Sequence, residues 1–302
     1  MVVVGDALLD VVARPSMPLG VGGDVPGSVE LHPGGQGANV AVRLARRGLT
    51  VRLVSAMADD AAGRLLHDLL THEGLELATV PVEASGSVVV LVDAAGERTM
   101  LSQRSAFAGL VGVELLEGPS RRVVVSGYLL LERQSAALVD RLASLPTEVV
   151  VLGCAIPEPP AAVGWWRNVK ASGAALVVVN AAEARVLRGG APGDEGADDE
   201  AALAEALSAS IGSVVVVTGT GGAAAAGPGG ALATVAPATG AGPVIDSTGA
   251  GDAFSAALIA ALVGGADVSA ALHAGVSLAA AVARVEGAQT RVASEPGGTL
   301  DA

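Results

Sequence analysis

The segment Asp246–Asp252, with the sequence DSTGAGD, places two glycines and a carboxylate directly before a stretch of apolar residues with helical spacing. The backbone N–H groups of Gly249, Ala250 and Gly251 would then be unpaired at the helix N-terminus. Such groups, together with the helix dipole, attract anions. A carboxylate beside an anion site is what phosphoryl transfer needs, so Asp252 is predicted to be the general base. The alternative is an aspartate that only caps the helix.

A second glycine-rich segment, residues 32–41 with the sequence HPGGQGANVA, also precedes a predicted helix. Its glycines, Gly34 and Gly35 among them, would let the backbone approach a ligand closely. Asn39 offers both a donor and an acceptor to substrate hydroxyl groups. The helical pattern places valine, alanine and leucine on the inner face and the arginines, including Arg43, on the outer face.

Composition limits the class of protein. The chain has 302 residues, enough for one large α/β domain, and its 18 basic and 31 acidic residues give a net charge of −13. This charge argues against a nucleic acid or an anionic membrane as partner. The single cysteine, Cys154, excludes an intrachain disulfide. The chain opens on an apolar strand without a signal pattern, so we expect a cytoplasmic protein with no membrane span.

Short valine-rich runs alternate with segments of helical periodicity along the chain. Runs of this kind, separated by helices, predict a mostly parallel sheet that is covered on both faces. The predicted strands are residues 2–4, 51–55, 123–126, 148–152, 175–179 and 213–217.

The two glycine motifs, in this order and in a chain of this length, resemble the ribokinase (pfkB) family of carbohydrate kinases, from about Val2 to about Gly287. The resemblance implies a single kinase domain over residues 1–302. Its expected fold is a three-layer α/β/α sandwich with a mostly parallel central sheet. A small β-sheet lid is expected from segments at about 8–33 and 86–104. The implied activity is phosphorylation of a primary hydroxyl of a small sugar by ATP, with Mg²⁺.

The resemblance also assigns residues on the nucleotide side. Asn180 and Glu183 match the family's N-x-x-E motif, which orders magnesium, water and phosphate, so Glu183 would act on Mg²⁺ indirectly. The same two residues also fit a plain helix start, with an N-cap and its capping-box partner. Thr218, Gly219 and Gly221 resemble the nucleotide loop, whose register here is one residue shorter than is usual.

Further positions are assigned to the acceptor and to a cation. Asp10 matches the family's sugar-binding aspartate, and Glu132 is a second candidate for contact with the substrate. Arg98 could hold a carboxylate or phosphate of an acidic sugar, or could simply be a solvated arginine. Asp246 and Thr248 stand where family members often hold a monovalent cation such as K⁺. Asp246 as a plain turn residue is the alternative.

The sequence leaves alternatives for the substrate. Leu8 and Gln36 replace residues that are usual in the family, which counts against ribose itself. A nucleoside kinase of the adenosine or pseudouridine type is one rival, although the chain offers few aromatic side chains to stack a base: Phe107, Phe254 and Tyr128. A catalytically inactive sugar-binding regulator is the other rival. Exposed lid strands would also invite homodimer formation.

Overall fold

The computed structural model describes residues 1–93, 98–112, 116, 122–156, 159–190, 199–238, 243–293 and 295. The strands are β1 Val2–Val4, β2 Leu8–Pro15, β3 Gly27–Gly34, β4 Arg52–Met57, β5 Glu76–Pro81, β6 Gly86–Val92, β7 Arg98–Gln103, β8 Arg122–Val125, β9 Glu148–Leu152, β10 Ala174–Asn180, β11 Val214–Gly219, β12 Gly222–Gly227 and β13 Gly230–Val235. The helices are α1 Gln36–Arg46, α2 Ala61–His72, α3 Ser135–Ser144, α4 Pro159–Ala171, α5 Ala181–Leu187, α6 Glu200–Ile211, α7 Ala250–Val263 and α8 Val268–Val282.

The main sheet of the described residues has nine strands in the order β13-β12-β11-β10-β9-β8-β1-β4-β5. The strands from β11 to β5 run parallel, and β12 and β13 extend one edge as an antiparallel hairpin. Each of the six valine-rich runs predicted from sequence is a strand of this sheet, with ends within two residues of the prediction. The mostly parallel sheet is therefore confirmed.

Alternating strand residues feed two separate cores, because successive side chains of a strand point to opposite faces. Val2 and Val4 pack in one core with side chains of α3, α4, α5 and α6. Val3 packs in the other with α1, α2, α7 and α8. Helices thus cover both faces of the sheet, which gives the predicted three-layer α/β/α sandwich.

The second sheet is the predicted lid, and its four described strands lie in the order β3-β2-β6-β7. β2 pairs antiparallel with β3 and parallel with β6, and β7 closes the other edge antiparallel to β6. These strands fall within the predicted segments 8–33 and 86–104 apart from one residue at the end of β3, while residues 94–97 lie outside the described part. The ribokinase-like lid is confirmed.

One prediction about α1 is wrong. Arg43, Arg46 and Arg47 were expected on the outer face of this helix, yet the side chains of Arg43 and Arg46 are only 0% and 5% exposed. The C-terminal segment covers this face and brings the buried Glu295 to 2.6 Å from the guanidinium of Arg43. Arg43 also donates to the carbonyl oxygens of Ala288 and Thr290. A charged residue is buried here because an opposite charge and backbone acceptors surround it.

None of the helices in the described residues combines the length and the apolar character that crossing a membrane requires.

We predict that Arg43→Met lowers the free energy of unfolding by about 3–5 kcal/mol, because the buried Glu295 loses its nearest cation and keeps only the Arg46 guanidinium at 3.6 Å. Urea denaturation followed by circular dichroism measures this loss. Arg64→Met is the control, since Arg64 and Asp59 form an exposed ion pair whose removal should cost about 1 kcal/mol or less. Equal losses in the two variants would contradict the structural role of the Arg43–Glu295 pair.

Candidate active site

The candidate site lies at the carboxyl ends of the parallel strands, which is where open α/β sheets bind ligands. Asp6 follows β1 and Ser126 follows β8, while Asn180 ends β10 and Thr218 lies near the end of β11. Helices α1 and α7 both begin at this edge. The fold therefore brings the two glycine motifs of the sequence together, although they are about 200 residues apart.

Glycines precede both helices for steric reasons. Gly35, the residue before α1, has a φ of 93°, and a Cβ there would lie 2.5 Å from the carbonyl oxygen of Asp6. Gly249, the residue before α7, has a φ of 75°, and a Cβ there would lie 2.7 Å from the Cβ of Ala288. Both the positive φ and the close contacts exclude other residues. These turns therefore fix where the two helices start.

The first turns of the two helices are joined by a direct contact between Asn39 and Asp252. The Asn39 side-chain amide donates to Oδ2 of Asp252 at 2.8 Å. Burial raises the pKa of Asp252 to about 7, and the hydrogen bond from Asn39 acts in the opposite direction. A carboxyl group with a pKa near neutrality is suited to accept a proton from a hydroxyl at cellular pH.

Asn39 is itself held by Gln289, which the sequence analysis did not single out. The Gln289 amide donates to Oδ1 of Asn39 at 2.9 Å. When Asp252 is ionised it can only accept, so Asn39 must turn its NH₂ toward Asp252 and its oxygen toward Gln289. Arg46 donates to the carbonyl oxygen of Gln289 at 2.7 Å and so helps to hold this segment. The ionised Asp252 carboxylate and the Gln289 amide therefore together favour the orientation in which the NH₂ of Asn39 faces Asp252.

The larger of the two cavities at this edge has a volume of about 580 Å³ and lies between the lid and the main sheet. Even-numbered residues of the lid strands face it, among them Asp10, Val88 and Arg98, while Asn39 and Asp252 form part of its floor. Burial raises the pKa of Asp10 to about 6. At Gly34 a Cβ would lie 2.2 Å from the Asp10 carboxylate, so this glycine makes room for the aspartate.

Ion pairs connect the lid with the body of the protein across this larger cavity. Arg98 on β7 lies 2.6 Å from the Asp246 carboxylate and also donates to the hydroxyl of Thr248. Arg104 pairs with the buried Asp6. The guanidinium of Arg104 also lies 4.1 Å from the centre of the Tyr128 ring.

Arg14 on β2 lies 3.3 Å from Glu286. Each arginine that lines the larger cavity therefore already has a carboxylate partner.

The smaller cavity, of about 170 Å³, lies on the other side of Asp252. Its lining includes Asn180, Glu183, Thr218 and Gly251. Asn180 and Glu183 form the capping box that was the alternative interpretation of this motif, with hydrogen bonds of 2.8 and 3.0 Å. Burial raises the pKa of Glu183 to about 7. The capping role does not remove this carboxyl group from the cavity, so the capping box does not exclude the role in nucleotide binding.

Some predicted site residues are placed elsewhere. Glu132 lies outside the lining of both cavities, and its carboxylate accepts from the backbone N–H of Ala108 at 2.7 Å. Gly219 and Gly221 lie against Glu200 at the start of α6, and the N–H of Gly221 donates to that carboxylate.

Ala250, expected to have a free N–H, donates to the carbonyl oxygen of Ser247 at 3.2 Å. Gly249 and Gly251 line the smaller cavity on either side of it.

The sequence analysis did not identify the hydrogen-bond and ion-pair partners of three further residues near the site, namely Asp6, Gln36 and Arg43. Gln36 donates to the carbonyl oxygen of Gly153 and accepts from Ser126. Arg43 could have been found, because it lies four residues after Asn39 and therefore on the same helical face. Asp6 follows a predicted buried strand, a position typical of ligand-binding residues. No local pattern indicates Gln289.

This arrangement of a carboxylate between two cavities, beside the N-terminus of a helix, defines an enzyme that can transfer a group from an anionic donor. A model of the pfkB family of carbohydrate kinases matches residues 1–295. The chain therefore belongs to the pfkB family, and the family predicted from the two glycine motifs is confirmed.

Individual relatives differ in substrate. The pseudouridine kinase of Escherichia coli (strain K12) is 27% identical over 157 residues, which are 49% of this chain and 50% of that protein. The chain thus aligns with about half the length of this curated relative.

The ribokinase of Thermotoga maritima superimposes with a TM-score of 0.75 at 20% identity, covering 95% of this chain and 94% of that one. The adenosine kinase of Sinorhizobium meliloti superimposes with a TM-score of 0.78 at 19% identity, covering 96% and 95%. These similarities establish the ribokinase-like fold.

We predict that Gln289→Glu raises the pKa of Asp252 by about one unit. A carboxylate at position 289 only accepts hydrogen bonds, so Asn39 would turn its NH₂ toward it and present its oxygen to Asp252. Carboxyl NMR of protein labelled with ¹³C-aspartate, titrated with pH, measures this pKa directly. Thr290→Val serves as the neighbouring control and should leave the titration unchanged. Superimposable curves for Gln289→Glu and the unaltered protein would contradict the positioning role of Gln289.

Proposed function

We propose that this protein transfers the γ-phosphate of ATP to a primary hydroxyl of a small neutral sugar or sugar derivative, with Asp252 as the catalytic base. The observation that carries the proposal is the place of Asp252 between the two cavities. Of the described residues, Gln36, Gly249 and Asp252 line both cavities, and Asp252 is the carboxylate among them. A base in this position touches the acceptor on one side and the phosphate donor on the other.

The chemistry follows from this position. The acceptor hydroxyl in the larger cavity attacks the γ-phosphorus of ATP, a new P–O bond forms, and the bond to the β-phosphate breaks to release ADP. Asp252 takes the proton of the hydroxyl, and general-base action of this kind contributes about 10²–10⁴-fold to the rate. The N-terminus of α7 offers its dipole and the backbone N–H groups of Gly249 and Gly251 to the transferring group, whereas the N–H of Ala250 donates to Ser247.

ATP and Mg²⁺ are the proposed cofactors. In the smaller cavity, Asn180, Glu183 and Thr218 are proposed to face the nucleotide, with Gly219 and Gly221 in the adjoining loop. The described residues contain no cluster of three or more carboxylate, histidine or cysteine side chains that could hold a metal ion. One carboxylate together with phosphates and water fits Mg²⁺, which is commonly bound in this way. When bound, Mg²⁺ would neutralise charge on the phosphates.

The charges around the larger cavity favour a neutral acceptor. Its lining carries five carboxylates and three arginines, namely Asp10, Glu30, Asp246, Asp252 and Glu286 against Arg14, Arg98 and Arg104. Each of the three arginines is paired with a carboxylate of the protein. A phosphate or carboxylate on the acceptor would have to displace one of these protein carboxylates from its arginine. Arg98 is therefore not proposed to bind an acidic sugar, although it stays part of the acceptor cavity. Asp10 and Asn39 are proposed to bind the acceptor's hydroxyl groups.

A nucleoside of the pseudouridine type is the second candidate acceptor. The similarity to the pseudouridine kinase of Escherichia coli favours it. Against it, Phe107 and Phe254 are buried, and the Tyr128 ring is covered by Arg104. A base would have to stack on this ring in place of Arg104, or on the guanidinium itself. We therefore place a sugar before a nucleoside.

We also propose that residues 1–302 act as one kinase domain and that two copies pair through their lids. The lid residues that alternate with those facing the cavity include Val29, Leu31 and Leu101, which are 67%, 51% and 75% exposed. Exposed apolar side chains on a strand face are typical of an interaction surface.

Light scattering should give twice the chain mass for the unaltered protein, and a single chain mass for Leu101→Glu. A single chain mass for the unaltered protein would contradict the dimer.

The activity is tested by ADP formation with Mg-ATP and a panel of acceptors. Ribose, fructose, adenosine and pseudouridine are neutral, while ketodeoxygluconate and fructose phosphates are anionic. We expect one neutral acceptor to be strongly preferred and the anionic ones to be poor. Preference for an anionic acceptor would contradict the charge argument, and no transfer to any acceptor despite ATP or sugar binding would favour the inactive regulator.

Asp252→Asn should lower the rate of transfer at least 100-fold while ATP still binds, because the amide cannot accept the proton. Rates and ATP affinity are measured on the same preparation. Asp140→Asn is the matched control, since Asp140 is exposed on α3 and should behave like the unaltered protein. A rate for Asp252→Asn close to that of the control would exclude Asp252 as the base.

A further inference from the structure

The loop of residues 246–249, which leads into α7 and is called the catalytic loop below, begins with Asp246. The Asp246 carboxylate is surrounded by donors from three parts of the chain. Its Oδ1 accepts from the N–H of Thr248 at 2.8 Å, and its Oδ2 accepts from the N–H of Gly287 at 2.9 Å. The guanidinium of Arg98 lies 2.6 Å from Oδ2 and donates through its other nitrogen to the Thr248 hydroxyl. Asp246 is only 5% exposed, whereas 25% of the Arg98 side chain is exposed, so water reaches this ion pair from the side of the arginine.

These contacts do not fit the monovalent cation that the family resemblance allows at Asp246 and Thr248. A cation there would need the carboxylate and hydroxyl oxygens that already accept hydrogen bonds from Arg98. The guanidinium is permanently charged and would repel a second positive charge a few ångströms away. The residues present therefore provide a built-in cation where a bound one is expected.

We infer that Arg98 takes the place of a monovalent cation beside the catalytic loop, so that phosphoryl transfer by this protein does not require K⁺. The statement that phosphoryl transfer does not require K⁺ rests on the proposed function. The statement that Arg98 excludes K⁺ from this site does not. Arg98 is a positioning residue in this account. It holds Asp246 and Thr248, and through them the loop that leads to Gly249 and Asp252.

The position of Arg98 on the lid has a second consequence for the catalytic loop. Arg98 belongs to lid strand β7, whereas Asp246 and Thr248 belong to the body. The positive charge therefore reaches the catalytic loop only while the lid strand lies over it. A bound ion, by contrast, would stay with the loop whether or not the lid covers the acceptor. The ion pair that holds the catalytic loop is thus coupled to the position of the lid over the larger cavity.

The experiment compares rates of ADP formation in K⁺, Na⁺ and tetramethylammonium at constant ionic strength. For the unaltered protein we expect rates that differ less than twofold among the three ions. For Arg98→Met we expect at least a tenfold loss in tetramethylammonium and partial recovery in K⁺, because removal of the guanidinium opens the site to the ion. Arg14→Met is the matched control, since it breaks a different contact between lid and body and should stay indifferent to K⁺.

A second measurement does not depend on turnover. The melting temperature should rise with K⁺, relative to tetramethylammonium, for Arg98→Met but not for the unaltered protein. Activation or thermal stabilisation of the unaltered protein by K⁺ would overturn the inference, and so would an Arg98→Met variant that K⁺ neither activates nor stabilises. If the unaltered protein transfers phosphate to no acceptor, the proposed function fails, while the melting temperatures still decide whether Arg98 excludes K⁺.

Discussion

The hydrogen bond from Asn39 to Asp252 is the contact on which the site depends. It joins the first turns of α1 and α7 at 2.8 Å and so fixes the carboxylate between the two cavities. Glycines precede both helices, because a Cβ at Gly35 would clash with the Asp6 carbonyl and a Cβ at Gly249 would clash with Ala288. A bulkier residue at either position would shift the start of its helix, and with it Asn39 or Asp252.

The C-terminal segment supports this contact from behind. Arg43 and Arg46 on α1 hold the carbonyl oxygens of residues 288–290, and Gln289 in turn orients Asn39. The buried Glu295 balances the charge of Arg43. Burial of such a pair contributes little net stability but makes the loss of one partner costly. One face of α1 therefore carries Asn39, which belongs to the site, and Arg43 and Arg46, which hold the segment that orients Asn39.

The sequence allowed prediction of the main sheet and the family from local patterns, namely buried valine runs and glycine turns before helices, and the resemblance to the family implied the lid. It did not allow prediction of the partners of Arg43, Gln289 and Arg98. Arg43 meets Glu295 across 252 positions and Gln289 meets Asn39 across 250. No local periodicity encodes such pairs, since only the packed fold brings them together. The ion pair of Arg43 with Glu295 and the ion pair of Arg98 with Asp246 are both contacts between residues far apart in the sequence.

The most direct test of the central claim is a crystal structure of the Asp252→Asn variant with ATP, Mg²⁺ and the preferred neutral acceptor. The account predicts the acceptor in the larger cavity, with one hydroxyl within hydrogen-bond distance of the side chain at position 252. It also predicts the γ-phosphate at the N-terminus of α7, in line with that hydroxyl. A triphosphate bound away from residues 249–251, or an acceptor outside the larger cavity, would contradict it.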